Sequence, residues 1–198
     1  RRHIGRVMSV VVLLDGRRAI TTSDDRSAIV WDLDTGGVLH RLRRHIGRVM
    51  SVVVTLDGRR AITTSADRSA IMWDLDTGGL LHRLTGHTKQ VTSVAVTSDG
   101  RRAVTTSDDL SASAIVWDLD TGVLHRLTGH SGDVTSVVVT SDGRRAITTS
   151  DDRSAIVWDL DTGGVLHRLT GHAGWVWSVV VTSDGRRVIT TSADRSAI

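Results

Sequence analysis

The sequence predicts an all-β fold assembled from short antiparallel sheets, and two observations carry that expectation. The stretch Leu127-Thr-Gly-His-Ser-Gly-Asp-Val-Thr-Ser-Val-Val-Val-Thr-Ser-Asp-Gly143 recurs at 84–100 and 169–185, and more divergently from His3 and from His45. Counted from the histidine, the steps are 42, 42, 43 and 42 residues, a period that marks a repeat architecture. Within each copy, runs rich in Val, Ile and Thr are separated by Asp-Gly or Thr-Gly turns, with no helical period.

The copy beginning at His87 shows the pattern strand by strand. Residues 91–97 (Val-Thr-Ser-Val-Ala-Val-Thr) are apolar on both alternating faces, which suits a strand buried on both sides. Ser98-Asp-Gly100 is a hairpin turn, with Gly available where φ is positive. A second strand follows over 102–107 and a third over 114–119 (Ala-Ile-Val-Trp-Asp-Leu). After the turn Asp120-Thr-Gly122, residues 123–127 mix apolar and charged side chains, as an outer edge does. Four short antiparallel strands per repeat describe the blade of a β-propeller, with chain order running from innermost to outermost.

Gly86-His87, the Ser-Asp-Gly turn, Thr-Thr-Ser-x-Asp and Val-Trp-Asp together resemble the WD40 repeat, and the resemblance covers essentially all 198 residues. It implies blades at 1–42, 43–84, 85–127, 128–169 and a partial one at 170–198, within one propeller segment. The first two copies are near duplicates, with Arg1-Arg2 and Arg43-Arg44 where the family has Gly directly before the histidine. The third carries two extra residues in the loop around 110–113 and loses one Gly after Thr121. The fifth stops where its third strand begins. About 4.5 blades form an open arc, and three outcomes fit it: a piece of a longer protein, closure with a second copy, or an unusual small ring. The first is the expectation.

Each repeat brings His, Ser, Asp and Trp at fixed spacing: His3, Ser23, Asp25 and Trp31; His45, Ser65, Asp67 and Trp73; His87, Ser107, Asp109 and Trp117; His130, Ser150, Asp152 and Trp158; and His172, Ser192 and Asp194. A Ser/His/Asp set invites a hydrolase reading. Catalysis, however, needs one site beside an oxyanion hole and a cleft, whereas five equivalent copies imply a task performed in every repeat. The family resemblance implies a buried hydrogen-bonded network, in which Asp accepts from His, His pairs with Ser, and the indole N–H finds an acceptor. The other histidines, His40, His82, His125 and His167, sit one per outer strand, too few on any blade for a metal site. Asp32-Leu-Asp34-Thr-Gly36 starts like a calcium loop, but its twelfth position is Arg43 rather than Glu. No metal and no cofactor is expected.

The copies differ mainly in the segment after each histidine. The positions flanking its fixed Val are Arg6 and Met8, Arg48 and Met50, Gln90 and Thr92, Asp133 and Thr135, and Trp175 and Trp177. The resemblance implies that these lie on the face where such propellers grip partners, and Arg, Met and Trp are the residues of contact centres. The extra loop residues 110–113 are expected to project on the same face. The reading is therefore a non-catalytic module for a protein or peptide ligand, the recognition or scaffold part of a larger signalling protein, cytoplasmic. Its rival is self-association through the incomplete end blades. A net charge of +3 is too mild to favour nucleic acid, and no apolar run is long enough for a membrane span. The paired arginines after each first turn, Arg17-Arg18 to Arg186-Arg187, are expected to form a solvated rim partly paired with the Asp34-type residues.

Overall fold

The computed structural model describes residues 2–109 and 114–198. Their regular structure is entirely strand, with no helix long and apolar enough to cross a membrane. The chain divides into two compact units, Arg1–Val91 and Thr92–Ile198.

The first unit holds two sheets. One has the order β1 (Val7–Val12), β2 (Arg18–Ser23), β3 (Ala28–Asp32), β4 (Val38–Leu42), and the other has β5 (Val49–Val54), β6 (Arg60–Ser65), β7 (Ser69–Asp74), β8 (Leu80–Thr85). They pack face to face. Ile20, Ala28, Val30 and Leu42 of the first meet Val52, Ala61, Ile71, Trp73 and Leu75 of the second.

The second unit repeats the arrangement with β9 (Val91–Val96), which begins at the boundary, β10 (Arg102–Ser107), β11 (Ala114–Asp118) and β12 (Gly122–Leu127). Next come β13 (Val134–Val139), β14 (Arg145–Ser150), β15 (Ala155–Asp159) and β16 (Val165–Leu169), then the two-stranded sheet of β17 (Val176–Val181) and β18 (Val188–Ser192). Val104, Ala114, Val116 and Leu127 pack on Val137, Ala146, Ile156 and Trp158. Val179 then packs on Ile147, Ala155 and Val157. Within each unit a repeat thus buries its apolar flank against the next one, as in other stacked repeats.

Local chemistry sets the turns. In the Thr-Ser-Asp-Gly turns, Thr97 Oγ1 donates to Asp99 Oδ1 at 2.5 Å and accepts from Arg102 N, while Gly100 closes the turn at φ 66°. The first copy has Leu13 in the Thr position, and there the Arg18 guanidinium holds Asp15 instead, at 2.8 Å. The deleted Gly of the third repeat is absorbed by starting β12 at Gly122, φ 111°.

Neighbouring sheets are stitched at their first strands. Thr135 Oγ1 donates to Val176 O at 2.6 Å, and Thr92 Oγ1 to Val134 O at 3.1 Å. Where no neighbour covers a flank, the apolar positions stand open. Val10 is 62% exposed, against 5% for Val52 and Val137 and 3% for Val179 at the same repeat position.

Candidate functional site

The buried polar cluster repeats almost atom for atom. In the second repeat, His45 Nδ1 lies 2.8 Å from Asp67 Oδ2, and His45 Nε2 lies 2.9 Å from Thr63 Oγ1. Trp73 Nε1 donates to that same Thr63 hydroxyl at 2.8 Å. Asp67 also accepts from the backbone N–H of Ile46 and Ser69 and from the Ser69 hydroxyl at 2.6 Å. The set recurs with His3, Thr21, Asp25 and Trp31, and with His130, Thr148, Asp152 and Trp158. In the fifth repeat His172 joins Asp194 and Thr190. In the third, His87 and Asp109 are buried and Trp117 donates to Thr105 Oγ1 at 2.7 Å.

The network fixes its own protons. An ionised carboxylate only accepts, so the histidine carries its hydrogen on Nδ1 and donates it to Asp. Nε2 then accepts from the Thr hydroxyl, whose oxygen accepts from the indole. Burial pushes the Asp25 carboxyl up, but the donors Ser27, His3 and Ile4 N more than offset it and hold it at about 2. Asp67, Asp152 and Asp194 are likewise lowered. Burial lowers the His130 imidazole against the opposing pull of Asp152.

The serine of the expected network has a different place. Ser23, Ser65, Ser150 and Ser192 do not partner the histidine. Each Oγ accepts the backbone N–H two residues on, from Asp25, Asp67, Asp152 and Asp194, at 3.1 Å. Ser107 Oγ is buried with no hydrogen-bond partner among the described residues. The histidine partner is the Thr two positions earlier, which sits on the Trp-facing side of the second strand. Sequence reasoning missed Thr21, Thr63, Thr105, Thr148 and Thr190, and also the donors Ser27, Ser69, Ser154 and Ser196. A usable signal was present: a Thr-Thr pair repeated inside every apolar second strand has to find buried partners.

The ten positions expected to meet a partner separate into two kinds. Arg6, Arg48 and Trp175 are exposed, and Asp133 and Gln90 are half-buried, in the loop before each first strand. Met8, Met50, Thr135 and Trp177 fall instead on a bulge at the start of the first strand, which turns the side chain out of the strand's alternation. Thr92 and Thr135 stitch neighbouring sheets, their hydroxyls bonded to Val134 O and Val176 O and to Thr106 and Thr149. Trp175 and Trp177 are 55% and 56% exposed. Residues 110–113 lie outside the described residues.

The loop glycines Gly5, Gly47, Gly132 and Gly174 are close-approach positions, since an added Cβ would sit 2.7–2.8 Å from the facing Asp backbone nitrogen. The third repeat has Lys89 there, and it is also the repeat whose facing loop carries the two extra residues. On the rim, Arg18 and Arg102 reach across to Asp76 and Asp161 of the next repeat, at 3.8 and 2.6 Å, and Arg17 lies 3.7 Å from Asp34. His125 Nε2 meets Asp161 O at 3.0 Å, so this outer-strand histidine braces the next repeat's turn. No group of three metal-ligating side chains occurs among the described residues.

Five antiparallel sheets, four of them clasped by a His–Asp pair among the described residues, define a β-sheet repeat protein of the propeller type. The family model for the WD domain, G-beta repeat, matches at 1–32, 36–74, 78–118, 122–159 and 163–198, and the chain belongs to the WD40 family. No curated protein matches it.

Proposed function

We propose that this chain is a non-catalytic recognition module for a protein or peptide, the binding or scaffold part of a cytoplasmic signalling protein. The family generally serves protein interaction. The observation that carries the reading here is Trp175, an indole 55% exposed in a loop position filled by Arg6, Arg48, Gln90 and Asp133 in the other repeats. An exposed aromatic on a braced loop loses little entropy on binding and buries a large area. The basic pair Arg6 and Arg48 offers the first unit a different chemistry from that of Asp133 and Trp175 in the second.

The Ser/His/Asp set speaks against hydrolysis. In the second and fourth repeats the hydroxyl facing the imidazole belongs to Thr63 or Thr148, each fully buried and already engaged by Trp. The test is affinity capture with the unaltered chain and with Trp175→Ala. The variant is expected to melt at the same temperature and to lose the captured partners; retention of the same partners would refute the contact role. Esterase or peptidase activity abolished by Ser150→Ala would overturn the non-catalytic reading.

A second reading rests on the uncovered flank of the first sheet, where Val7, Val10 and Val12 are exposed. These occupy the positions that Val49, Val52 and Val54 use against the sheet before them, so a second copy of the chain would supply a fitting cover. Light scattering across a dilution series decides it: a multimer supports self-association, and a monomer at all concentrations removes it.

A further inference from the structure

Arg2 and Arg43, one from each of the doubled arginine pairs before the first two histidines, line a single cavity. A pocket of about 510 Å³ in the first unit is lined by Arg2, Ile4, Asp25, Arg26, Arg41, Arg43 and His45. Four arginines and one aspartate thus line the pocket, and the Asp25 carboxylate is already held by His3, Ser27 and the Ile4 backbone. The volume lies within the roughly 300–1,000 Å³ of small-ligand sites.

Comparison among the repeats shows what sets this pocket apart. Arg83 and Arg168 occupy the position of Arg41 in the second and fourth repeats. Arg83 donates to Ser69 Oγ at 2.7 Å and to Arg44 O at 2.6 Å. Arg168 donates to Ser154 Oγ at 2.9 Å and to Gly129 O at 2.6 Å. Arg41 makes neither bond. Its Nη2 is buried with no partner among the described residues, while Ser27 Oγ turns to Asp25 and towards His3. Nor do the guanidiniums of Arg2, Arg26 and Arg43 form a hydrogen bond or ion pair among the described residues. In the fourth and fifth repeats the positions of Arg2 and Arg43 carry Gly129 and Thr170, so the extra charge belongs to the Arg-Arg-His copies alone.

A buried Nη2 without a partner among the described residues, in a pocket lined by three more arginines, is a strong demand for an oxyanion, and Arg meets phosphate through paired N–H donors. Ile4, 96% exposed at the pocket lip, adds an apolar contact that free phosphate cannot use. We propose that this pocket binds the phosphate of a phosphorylated serine or threonine in a peptide, with an apolar neighbour of that residue resting on Ile4. The site is separate from Trp175 and does not depend on the contact reading given above.

The test is calorimetric titration with acetyl-Gly-Leu-phosphoserine-Gly-amide, its unphosphorylated twin, and inorganic phosphate. The phosphopeptide is expected to bind at least tenfold more tightly than either control. Arg43→Gln, an exposed change that leaves the fold alone, and Arg41→Gln should each weaken it at least tenfold, with Arg59→Gln on the turn rim and Trp175→Ala without effect. Equal binding of the two peptides, phosphate binding as tightly as the phosphopeptide, or undiminished affinity in Arg43→Gln would each overturn the proposal.

Discussion

Thr149 and Thr135 place their hydroxyl oxygens 2.9 Å apart, and Thr135 passes its own proton on to Val176 O. Thr106 and Thr92 repeat the pairing at 3.1 Å. The first two repeats carry Met8 and Met50 in place of the bulged Thr, and there Thr22 Oγ1 and Thr64 Oγ1 are buried without a partner among the described residues. An orphaned buried hydroxyl costs about 1–3 kcal/mol, whereas a satisfied one contributes about 1 kcal/mol. Thr64→Val, which keeps the shape and removes the orphan, should therefore stabilise by about 1 kcal/mol. Thr149→Val should destabilise by a similar amount. Urea unfolding of the two variants checks the opposite signs.

A sharper contrast lies within one repeat. Thr148 serves both His130 and Trp158, while Ser150 accepts only one backbone N–H from Asp152. Thr148→Val strands a buried indole donor and a buried imidazole nitrogen together, an expected loss of about 2–4 kcal/mol. Ser150→Ala strands one backbone donor and should cost about 1–2 kcal/mol. Equal losses in denaturant melts would show that the Thr is not the hub.

The strands and their order were legible because period, turn residues and apolar patterning agree in every copy. The clasp was legible only in outline. His130, Asp152 and Trp158 stand out as sparse residues at fixed spacing, whereas Thr148 hides among the many Thr of a β-rich chain. Thr148 and Ser150 share one face of their strand, so which of them meets the imidazole depends on how far along the strand the histidine loop reaches, beside a bulge that no local residue announces. The same bulge sets the side chain of Thr135, whose hydroxyl bond to Val176 O no sequence pattern announces. Arg41 was invisible as a site residue for a different reason: its sequence context matches that of Arg83, and only hydrogen-bond partners separate them.

Acid should unfold the chain in two stages. Burial lowers the His130 pKa, and the carboxyls of Asp25, Asp67 and Asp152 are lowered by their donors. Both kinds of group bind fewer protons in the folded chain than in the unfolded one, so stability falls as pH falls. The histidine contribution is complete above its unfolded value of roughly 6.5 and is lost below it. A proton on Nε2 would also face the Thr148 oxygen and displace that hydroxyl's own donation. The carboxylate contribution is lost from about pH 4 down through about 2, the Asp25 value. Melting temperature against pH should show a plateau above neutrality, a first decline below about 6.5 and a steeper one below about 4. Thr148→Val should alter the first decline and leave the second.

Arg26, Arg68, Arg153 and Arg195 all sit at φ between 66° and 70°, in the turn between second and third strands. In that left-handed region the Cβ crowds the backbone, at roughly 1–2 kcal/mol for an L-residue, while glycine adopts it freely. Glycine in turn gives up about 0.5–1 kcal/mol of unfolded-state entropy, so the net gain from Arg→Gly should be about 0.5–1 kcal/mol. Arg68→Gly and Arg153→Gly are the clean cases, because both side chains are exposed and neither lines the pocket beside Arg41. The two turns belong to different repeats and share no partner, so the double variant should gain the sum of the two. Arg153→Ala supplies the control, since alanine keeps the Cβ and with it the strain. If Arg153→Ala stabilised as much as Arg153→Gly in the same urea titration, the gain would come from removing the arginine's charge and bulk rather than from the backbone angle.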